Sequence, residues 1–235
     1  MASIYLIRHG QASFGSANYD ELSALGRQQA RLTGQYLADA GIRIDAAYSG
    51  TLRRQRDTAE LALRAQPHPV ACSEDPRLDE VRNDEHIEHL LPIVVRRRPE
   101  IQQLVDEGFS NSKQYQKIIE AVFGFWVSPE CDVAGIQSWE DYSGGVRAML
   151  RDIMAEQGAG RSVAVFTSGG TIATCVSIVL GLPGTAAYAF YEPVFNCSVT
   201  QLLYGGGRVS LSYFNDCSFL RVVGARRGEQ LVTYR

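Results

Sequence analysis

The sequence of 235 residues lacks several features that would assign a protein to a broad class. Its five cysteines are odd in number, widely spaced and without a CxxC pair, so we expect buried free thiols. The formal net charge of −3 lacks the basic excess that nucleic-acid binding requires. Internal repeats and low-complexity segments are also missing.

The sequence also lacks a membrane span and a secretory signal. Its longest apolar stretch, Ser162–Leu182, is interrupted by Ser168-Gly169-Gly170 and is too polar there to cross a membrane. The chain does not open on a basic segment followed by an apolar one, and a strand pattern begins close to Met1. We therefore expect a cytoplasmic protein with neither nucleic acid nor membrane as a partner.

Apolar runs alternate with amphipathic segments over the first third of the sequence, which predicts an α/β fold. This order favours a three-layer α/β/α sandwich with a mostly parallel central sheet. The length fits a single domain covering residues 1–235. The predicted strands are Ile4–Ile7, Ile44–Tyr48 and Pro69–Ser73, and the helices between them are Leu22–Ala40 and Leu52–Ala65.

From Asp84 to about Gly145 the strand pattern disappears, which predicts a helical insertion able to roof a site. Its helices are predicted over His86–Arg97, Glu100–Gly108 and Lys113–Phe125. Its aromatic residues are expected to form its core, namely Tyr115, Phe123, Phe125, Trp126 and Trp139. The rest of the chain predicts the helix Asp141–Gln157, the strand Ser162–Phe166, the helix Gly169–Leu180 and a hairpin of Val199–Tyr204 with Arg208–Phe214. The polar tail after Gly224 is expected to be loose.

The triplet Arg8-His9-Gly10 directly follows the first predicted strand. Ligands of open α/β sheets bind at the carboxyl ends of the strands, so this triplet is placed to meet one. A histidine can act as a nucleophile, and an arginine offers a planar fork to phosphate oxygens. The glycine allows the backbone and a ligand to approach closely.

Four segments in this order resemble the histidine phosphatase superfamily, also called the phosphoglycerate-mutase-like family. They cover essentially the whole chain. They are Leu6–Gly10 with Tyr19–Ser23, Gly26 and Gln29-Ala30; Ser49–Arg54 with Thr58-Ala59; Arg77–Glu80; and Val163–Phe166 followed by Thr167–Thr171.

The resemblance implies phosphoryl transfer through a phosphohistidine at His9. Arg8 and Arg54 would hold the phosphate, and Glu80 would be the general acid, with Asp79 or Glu85 as alternatives. Glu80 would then need a raised pKa, which a neighbouring dianionic phosphate would supply. The arginines take the electrostatic role of a metal ion, so neither a metal nor another cofactor is expected. Gln11, Ser13 and Asn18, in the loop after the histidine, are candidates for contact with the substrate.

One segment departs from the family pattern, because Ser168, followed by Gly169, stands where the family has its second histidine. Serine donates one hydrogen bond but brings no positive charge, although backbone N–H groups of the following helix can still face an anion. Losing such a donor typically costs on the order of 10²–10³ in rate. Ser168 is either a phosphate-pocket residue or a simple helix cap. On the first interpretation, Ser168→His is expected to raise the rate.

Two functions therefore remain open from the sequence. One is a phosphomonoesterase acting on a small phosphorylated metabolite or a phosphoprotein, and the other is a weak or inactive relative that binds a phosphorylated ligand or partner. A mutase is disfavoured, because no second basic cluster accompanies the motifs. The oligomeric state stays open.

Charged residues of the insertion allow further hypotheses. His86 and His89 lie one turn apart beside Glu85 and Glu88, but no further metal ligands are evident, so an exposed helix face is favoured over a metal site. One of these histidines is an alternative source of the missing imidazole. Arg96–Arg98 is more typical of a solvated face than of a substrate-attracting one.

Overall fold

The computed structural model describes residues 1–13, 20–107 and 112–234. These residues form one six-stranded sheet flanked by helices. The strands are β1 (Ala2–Arg8), β2 (Ala46–Ser49), β3 (Cys72–Glu74), β4 (Ser162–Thr167), β5 (Val199–Gly205) and β6 (Arg208–Asp216). The helices are α1 (Ala24–Asp39), α2 (Arg53–Leu63), α3 (Asn83–Arg97), α4 (Pro99–Asp106), α5 (Ser112–Trp126), α6 (Trp139–Gln157), α7 (Gly169–Val179), α8 (Tyr188–Tyr191) and α9 (Ser218–Arg227).

The strands are arranged in the order β3-β2-β4-β1-β5-β6. Neighbours from β3 to β1 pair in parallel, whereas β5 runs antiparallel to both β1 and β6. The prediction of a mostly parallel sheet ending in a β5–β6 hairpin is confirmed. Strand β1 lies in the middle and is buried on both faces, which explains why its sequence is a continuous apolar run rather than an alternating one.

Successive side chains of β1 pack into different hydrophobic clusters. Ile4 and Leu6 lie in a cluster that also contains residues of α6 and α7, while Tyr5 and Ile7 lie in another with residues of α1 and α2. Because neighbouring strand residues point to opposite faces, helices cover both sides of the sheet. The predicted three-layer arrangement is therefore confirmed.

The described residues between β3 and β4 form helices joined by loops and contain no strand. The core of this block is aromatic: Trp126 packs edge-on against Phe123 and Trp139, with ring centroids 5.5 and 5.3 Å apart. The predicted end of the insertion near Gly145 falls within α6, which begins at Trp139 and continues without a break to Gln157. The helix starts two residues before the predicted Asp141, because Ser138 caps it and its side chain accepts from the backbone N–H of Asp141.

No helix within residues 1–13, 20–107 and 112–234 is both long and apolar enough to cross a membrane. The expected cytoplasmic location stays a prediction. All five cysteines are free thiols; Cys175, Cys197 and Cys217 are buried as expected, whereas Cys72 is exposed. Cys72 lies on the three-residue edge strand β3, which begins three residues after the predicted Pro69. That short edge strand leaves its side chains in solvent.

The expectation of a loose tail after Gly224 is wrong. Helix α9 continues to Arg227, and the segment after it packs back onto the domain. Leu231 is buried, and its carbonyl accepts a hydrogen bond from Nε2 of Gln29 at 2.8 Å. Thr233 donates to Oδ1 of Asn196 at 2.9 Å. The burial of Leu231 and the hydrogen bonds to the buried side-chain amides of Gln29 and Asn196 therefore order a segment whose composition is mostly polar.

Two glycines allow α1 to approach the loop after β1. A Cβ on Gly10 would lie 2.4 Å from the carbonyl oxygen of Gly26, and a Cβ on Gly26 would lie 2.1 Å from that of Gln11. Real Cβ atoms do not come so close to backbone atoms, so both positions require glycine. This approach fixes the loop that carries His9.

We expect Gly26→Ala to lower the free energy of unfolding by roughly 1–3 kcal/mol, because the new methyl group forces two backbone segments apart. The measurement is urea-induced unfolding. Gly124→Ala in α5 is the matched control, because nothing lies within 4 Å of its added carbon. Alanine should stabilise that helix by up to about 1 kcal/mol. Equal free energies for the two variants would contradict the close approach.

Candidate active site

The site lies at the carboxyl edge of the sheet, where β1 and β4 are neighbours. Arg8 pairs with Thr167, and the backbone N–H of His9 donates to the carbonyl of Thr167 at 2.9 Å. His9 and Ser168 are therefore the next residues along two adjacent parallel strands. The first turn of α2 brings Arg54 to the same edge, and the turn after β3 brings Glu80.

The imidazole of His9 is buried and held in one tautomer. Its Nδ1 lies 2.8 Å from the carbonyl oxygen of Gly10, which can only accept, so Nδ1 carries the proton. Nε2 is then the nitrogen with the lone pair, and it accepts a hydrogen bond from Nε of Arg54 at 3.2 Å. Burial, followed by the charges of Arg54 and Arg8, lowers the pKa of His9 well below its usual value. The ring is therefore neutral near pH 7, as a nucleophile must be.

Arg54 is oriented by a carboxylate. Nη1 of Arg54 lies 2.8 Å from Oδ1 of Asp20, and the other oxygen of Asp20 accepts from the backbone N–H of Arg53 at 2.8 Å. Asp20 thus satisfies the start of α2 and fixes the guanidinium against His9. Sequence reasoning missed this role, although Asp20 lies within a segment quoted for the family resemblance.

Arg8 lies between the site and the C-terminal segment. Its Nη1 donates to the carbonyl oxygen of Val194 and, at 2.9 Å, to that of Tyr234. The phosphate-binding candidate from β1 is therefore positioned by backbone far away in sequence. The sequence contained no signal for this contact, because backbone carbonyls are available at every residue.

Glu80 is held beside the two arginines. Its Oε1 accepts from the backbone N–H groups of Val81 at 3.0 Å and Gly170 at 2.9 Å, the latter in the first turn of α7. Burial raises the pKa of Glu80, although the charges of Arg54 and Arg8 and the two N–H bonds oppose the rise. Burial is thus one source of the raised pKa that a general acid at this position needs, and the contribution of a bound phosphate stays a prediction. The helix N-terminus expected to face a phosphate thus faces the Glu80 carboxyl group.

Ser168 is fully buried directly after β4. Its Oγ accepts a hydrogen bond from Nε2 of Gln55 at 2.8 Å and makes no capping bond to α7, so the simple-cap interpretation is wrong. The neighbouring Gly169 is next to the site, because a Cβ there would lie 3.1 Å from the ring of Tyr191 and 3.7 Å from Nε of Arg8. The part played by Gln55 was not foreseen from the sequence.

A cavity of about 580 Å³ opens beside Arg8, Arg54 and Glu80. His9, Ser168 and Gly169 are buried and are not among its lining residues. Tyr115, expected in the core of the insertion, lines this cavity instead. The remaining lining residues come mainly from the turn before α3, from α5 and from the region of α8: Leu52, Val81, Arg82, Asn83, Asp84, Glu85, Gln116, Ile119, Tyr188, Tyr191, Glu192 and Tyr234.

Some candidate residues are not brought to this cavity. Gln11 accepts from the Ser23 hydroxyl at 2.9 Å, and the backbone N–H of Ser13 donates to the carbonyl of Glu21 at 2.8 Å; neither lines the described cavity. Their contact with a substrate stays a prediction. Asn18 lies outside the described residues.

The two histidines of α3 diverge. His86 is buried against Trp126, with ring centroids 4.3 Å apart, and burial lowers its pKa to about 4. His89 is exposed, as are Arg96–Arg98. Among the described residues, no group of three or more His, Cys, Asp or Glu side chains is arranged to hold a metal ion. Neither histidine lines the cavity, so neither supplies an imidazole there.

This edge of the sheet has the groups that phosphoryl transfer through histidine requires: a neutral imidazole, two guanidinium groups and a buried carboxyl group. The sequence model of the histidine phosphatase superfamily (branch 1) matches residues 4–217, and the chain belongs to this superfamily. The family predicted from the four segments is thereby confirmed.

Two similar curated proteins match short stretches of the chain. Over 74 residues the chain is 38% identical to the mitochondrial serine/threonine-protein phosphatase PGAM5 of Xenopus laevis, covering 31% of this chain and 27% of that protein. Over 71 residues it is 37% identical to a 2,3-bisphosphoglycerate-dependent phosphoglycerate mutase of Streptococcus pneumoniae, covering 28% of this chain and 31% of the mutase. The match thus spans less than a third of either relative.

Solved structures match almost the whole fold. A phosphoserine phosphatase from Entamoeba histolytica in complex with 3-phosphoglyceric acid aligns with a TM-score of 0.63 at 20% identity, covering 94% of this chain and all of that one. A mycobacterial glucosyl-3-phosphoglycerate phosphatase aligns with a TM-score of 0.62 at 22% identity, covering 91% and 98%. At such identities the likeness establishes the fold alone.

We expect the imidazole of His9 to stay neutral well below pH 6.5, the usual midpoint of histidine, because burial and two arginines disfavour its cation. NMR titration of its ring carbons should show no protonation between pH 8 and pH 6. Arg54→Met removes one positive charge and should move the midpoint upward. A wild-type midpoint at or above 6.5 would contradict this environment.

Proposed function

We propose that this protein is a phosphomonoesterase that acts through a phosphohistidine at His9 on a small phosphorylated metabolite. The observation that carries the proposal is the buried, neutral His9, whose Nε2 lone pair faces the guanidinium of Arg54. A phosphate drawn to Arg54 and Arg8 would compete for the Arg54 guanidinium and so release the Nε2 lone pair for attack. In this proposal no metal or other cofactor takes part, because the arginines offset the charge.

The first step forms the bond between Nε2 of His9 and phosphorus while the ester P–O bond breaks. Arg8 and Arg54 stabilise the negative charge on the non-bridging oxygens. The backbone N–H groups of Val81 and Gly170 both donate to Oε1 of Glu80, so a proton on Oε2 is placed for donation. The protonated Glu80 gives that proton to the leaving oxygen, and the alcohol departs.

The second step returns the enzyme to its starting state. Glu80, now a carboxylate, takes a proton from water as the water oxygen attacks phosphorus, and the P–N bond to His9 breaks. Inorganic phosphate leaves, and both side chains regain their initial protonation. The hydrogen bond from Nδ1 of His9 to the Gly10 carbonyl keeps the ring oriented through both steps.

The size and charge of the cavity support a small monophosphate over a phosphoprotein or a bisphosphate. A volume of about 580 Å³ is typical of small-molecule sites. Away from Arg8 and Arg54, the charged lining residues are Arg82, which pairs with Glu85 at 3.5 Å, and the acidic Asp84 and Glu192. This mostly acidic part of the lining disfavours binding of a second phosphate group, which a mutase would have to hold.

The second candidate function is binding of a phosphorylated ligand with little or no turnover. Ser168 favours it, because a serine brings no positive charge to the position where the resemblance places the family's second histidine. The two candidates differ in one measurable property, which is turnover dependent on His9.

We expect the wild-type protein to hydrolyse a generic phosphate ester and His9→Ala to lower kcat by about 10⁴-fold or more, since removing a nucleophile abolishes covalent catalysis. Phosphate release measures this. His89→Ala, at an exposed histidine outside the cavity, is the matched control and should keep full activity. If wild type and His9→Ala are equally inactive while both bind inorganic phosphate, the second candidate stands.

Glu80→Gln should be far more harmful with an alkyl phosphate than with p-nitrophenyl phosphate, because nitrophenolate leaves without needing a proton. The expected loss in the first step is on the order of 10²–10⁴-fold for the alkyl ester and small for the aryl ester. Stopped-flow detection of the nitrophenol burst isolates that step. An equal loss with both esters would assign Glu80 a role other than general acid.

A further inference from the structure

Gln55 and Ser168 form a fully buried polar pair beside the site. Neither residue is measurably exposed, and Nε2 of Gln55 lies 2.8 Å from Oγ of Ser168. The same Nε2 lies 3.0 Å from the carbonyl oxygen of Leu78, two residues before Glu80. Gln55 directly follows Arg54 in α2. It therefore connects three segments that each carry a site residue.

The chemistry of these contacts fixes the orientation of the Gln55 amide. The carbonyl of Leu78 can only accept, so the atom facing it must be the NH₂ group. This assignment is supported on the other side, where Oε1 of Gln55 accepts from the backbone N–H of Leu52 at 3.3 Å. Both amide hydrogens are thus directed, one to Leu78 and one to Ser168.

Ser168 is consequently an acceptor in this pair, and its own hydroxyl hydrogen must point elsewhere. Among the described residues it finds no acceptor. A buried donor without a partner costs free energy, typically about 1–3 kcal/mol. An anion held between His9 and Arg8 would supply the missing acceptor, because both neighbours of Ser168 in sequence contact these two residues. The carbonyl of Thr167 accepts from the backbone N–H of His9, and a Cβ on Gly169 would lie 3.7 Å from Nε of Arg8.

We propose that Gln55 is a positioning residue, whose amide holds the Ser168 hydroxyl so that its hydrogen is donated to a phosphoryl oxygen at His9. Gln55 and Ser168 then act as one unit that replaces part of what a second histidine would provide. This proposal rests on the proposed function of the same site. It differs from a purely structural role, in which Gln55 would stabilise the fold without altering what Ser168 contributes.

A double-mutant cycle tests the unit. Gln55→Met keeps the size of the side chain but removes both donors, and Ser168→Ala removes the hydroxyl. We expect Ser168→Ala to lower kcat/KM on the order of 10²-fold and Gln55→Met about 10-fold. The double variant should be no worse than Ser168→Ala alone, because the amide acts only through the hydroxyl. Multiplicative losses would overturn the proposal.

Gln66→Met is the matched control for loss of a buried amide. Gln66 is also buried, and within the described part of the chain its amide bonds to backbone alone, at the Ile44 N–H and the Ile42 carbonyl. It should lower the melting temperature as Gln55→Met does and leave kcat/KM unchanged. Equal kinetic losses in the two variants would assign Gln55 a structural role. If Gln55→Met does not fold, Gln55→Asn takes its place, since it keeps the amide but is too short to reach both partners.

The affinity for inorganic phosphate, measured by calorimetry, separates this proposal from the proposed function. The same cycle should show an approximately 10-fold loss for either single variant and no further loss in the double variant. If the wild type binds phosphate but hydrolyses nothing, the proposed function fails while coupled affinities still support the unit. If the wild type neither binds phosphate nor hydrolyses an ester, both fail.

The packing of the pair gives a second, independent test. An imidazole at position 168 adds four non-hydrogen atoms where Oγ already contacts a fully buried amide, so Ser168→His alone should overpack the site and lower kcat/KM. This replaces the expectation that Ser168→His alone raises the rate. Combining it with Gln55→Ala removes four such atoms and should raise kcat/KM at least about 10-fold above Ser168→His. A faster Ser168→His single variant would overturn the packing argument.

Discussion

The site depends on which ring nitrogen of His9 carries the proton, and the backbone carbonyl of Gly10 determines this. By accepting from Nδ1 of His9, this carbonyl leaves the lone pair on Nε2, where Arg54 meets it. The carbonyl is in place because α1 packs tightly against the loop after β1 at Gly10 and Gly26. A contact between two backbones therefore determines which ring nitrogen of His9 carries the lone pair.

Burial acts in opposite directions on the two ionisable groups that the proposed reaction needs. It lowers the pKa of His9 and raises that of Glu80, so both groups are favoured in their neutral forms. Arg54 and Arg8 strengthen the first effect and weaken the second. The positive charges that attract an anion thus oppose the rise in the pKa of Glu80. An incoming phosphate would offset these charges and let that pKa rise further.

The sequence predicted most of the fold, because its signals there are local. The apolar run before Arg8 and the helix spacing after Ser23 needed no knowledge of distant residues. The position of His9 at the carboxyl edge of the sheet followed from the strand pattern, whereas the positions of Arg54 and Glu80 beside it were implied by the family resemblance. The superfamily itself followed from the same motifs.

The remaining features depend on partners far apart in sequence. The tail was predicted to be loose because its composition is polar, yet Leu231 and Thr233 are held by side chains of other elements. Gln55 looked like an ordinary helix residue beside Arg54, since nothing local indicates that it meets Ser168, 113 positions away. No local pattern indicated that Asp20 accepts a hydrogen bond from the start of α2.

The contact between Arg8 and Tyr234 has a consequence for how the fold is completed. The two residues are 226 positions apart, so their hydrogen bond closes a very long loop of chain. Contacts of such sequence separation carry a large loop-closure entropy and form late in folding. The central strands can therefore pair before the segment after α9 docks and fixes the guanidinium of Arg8.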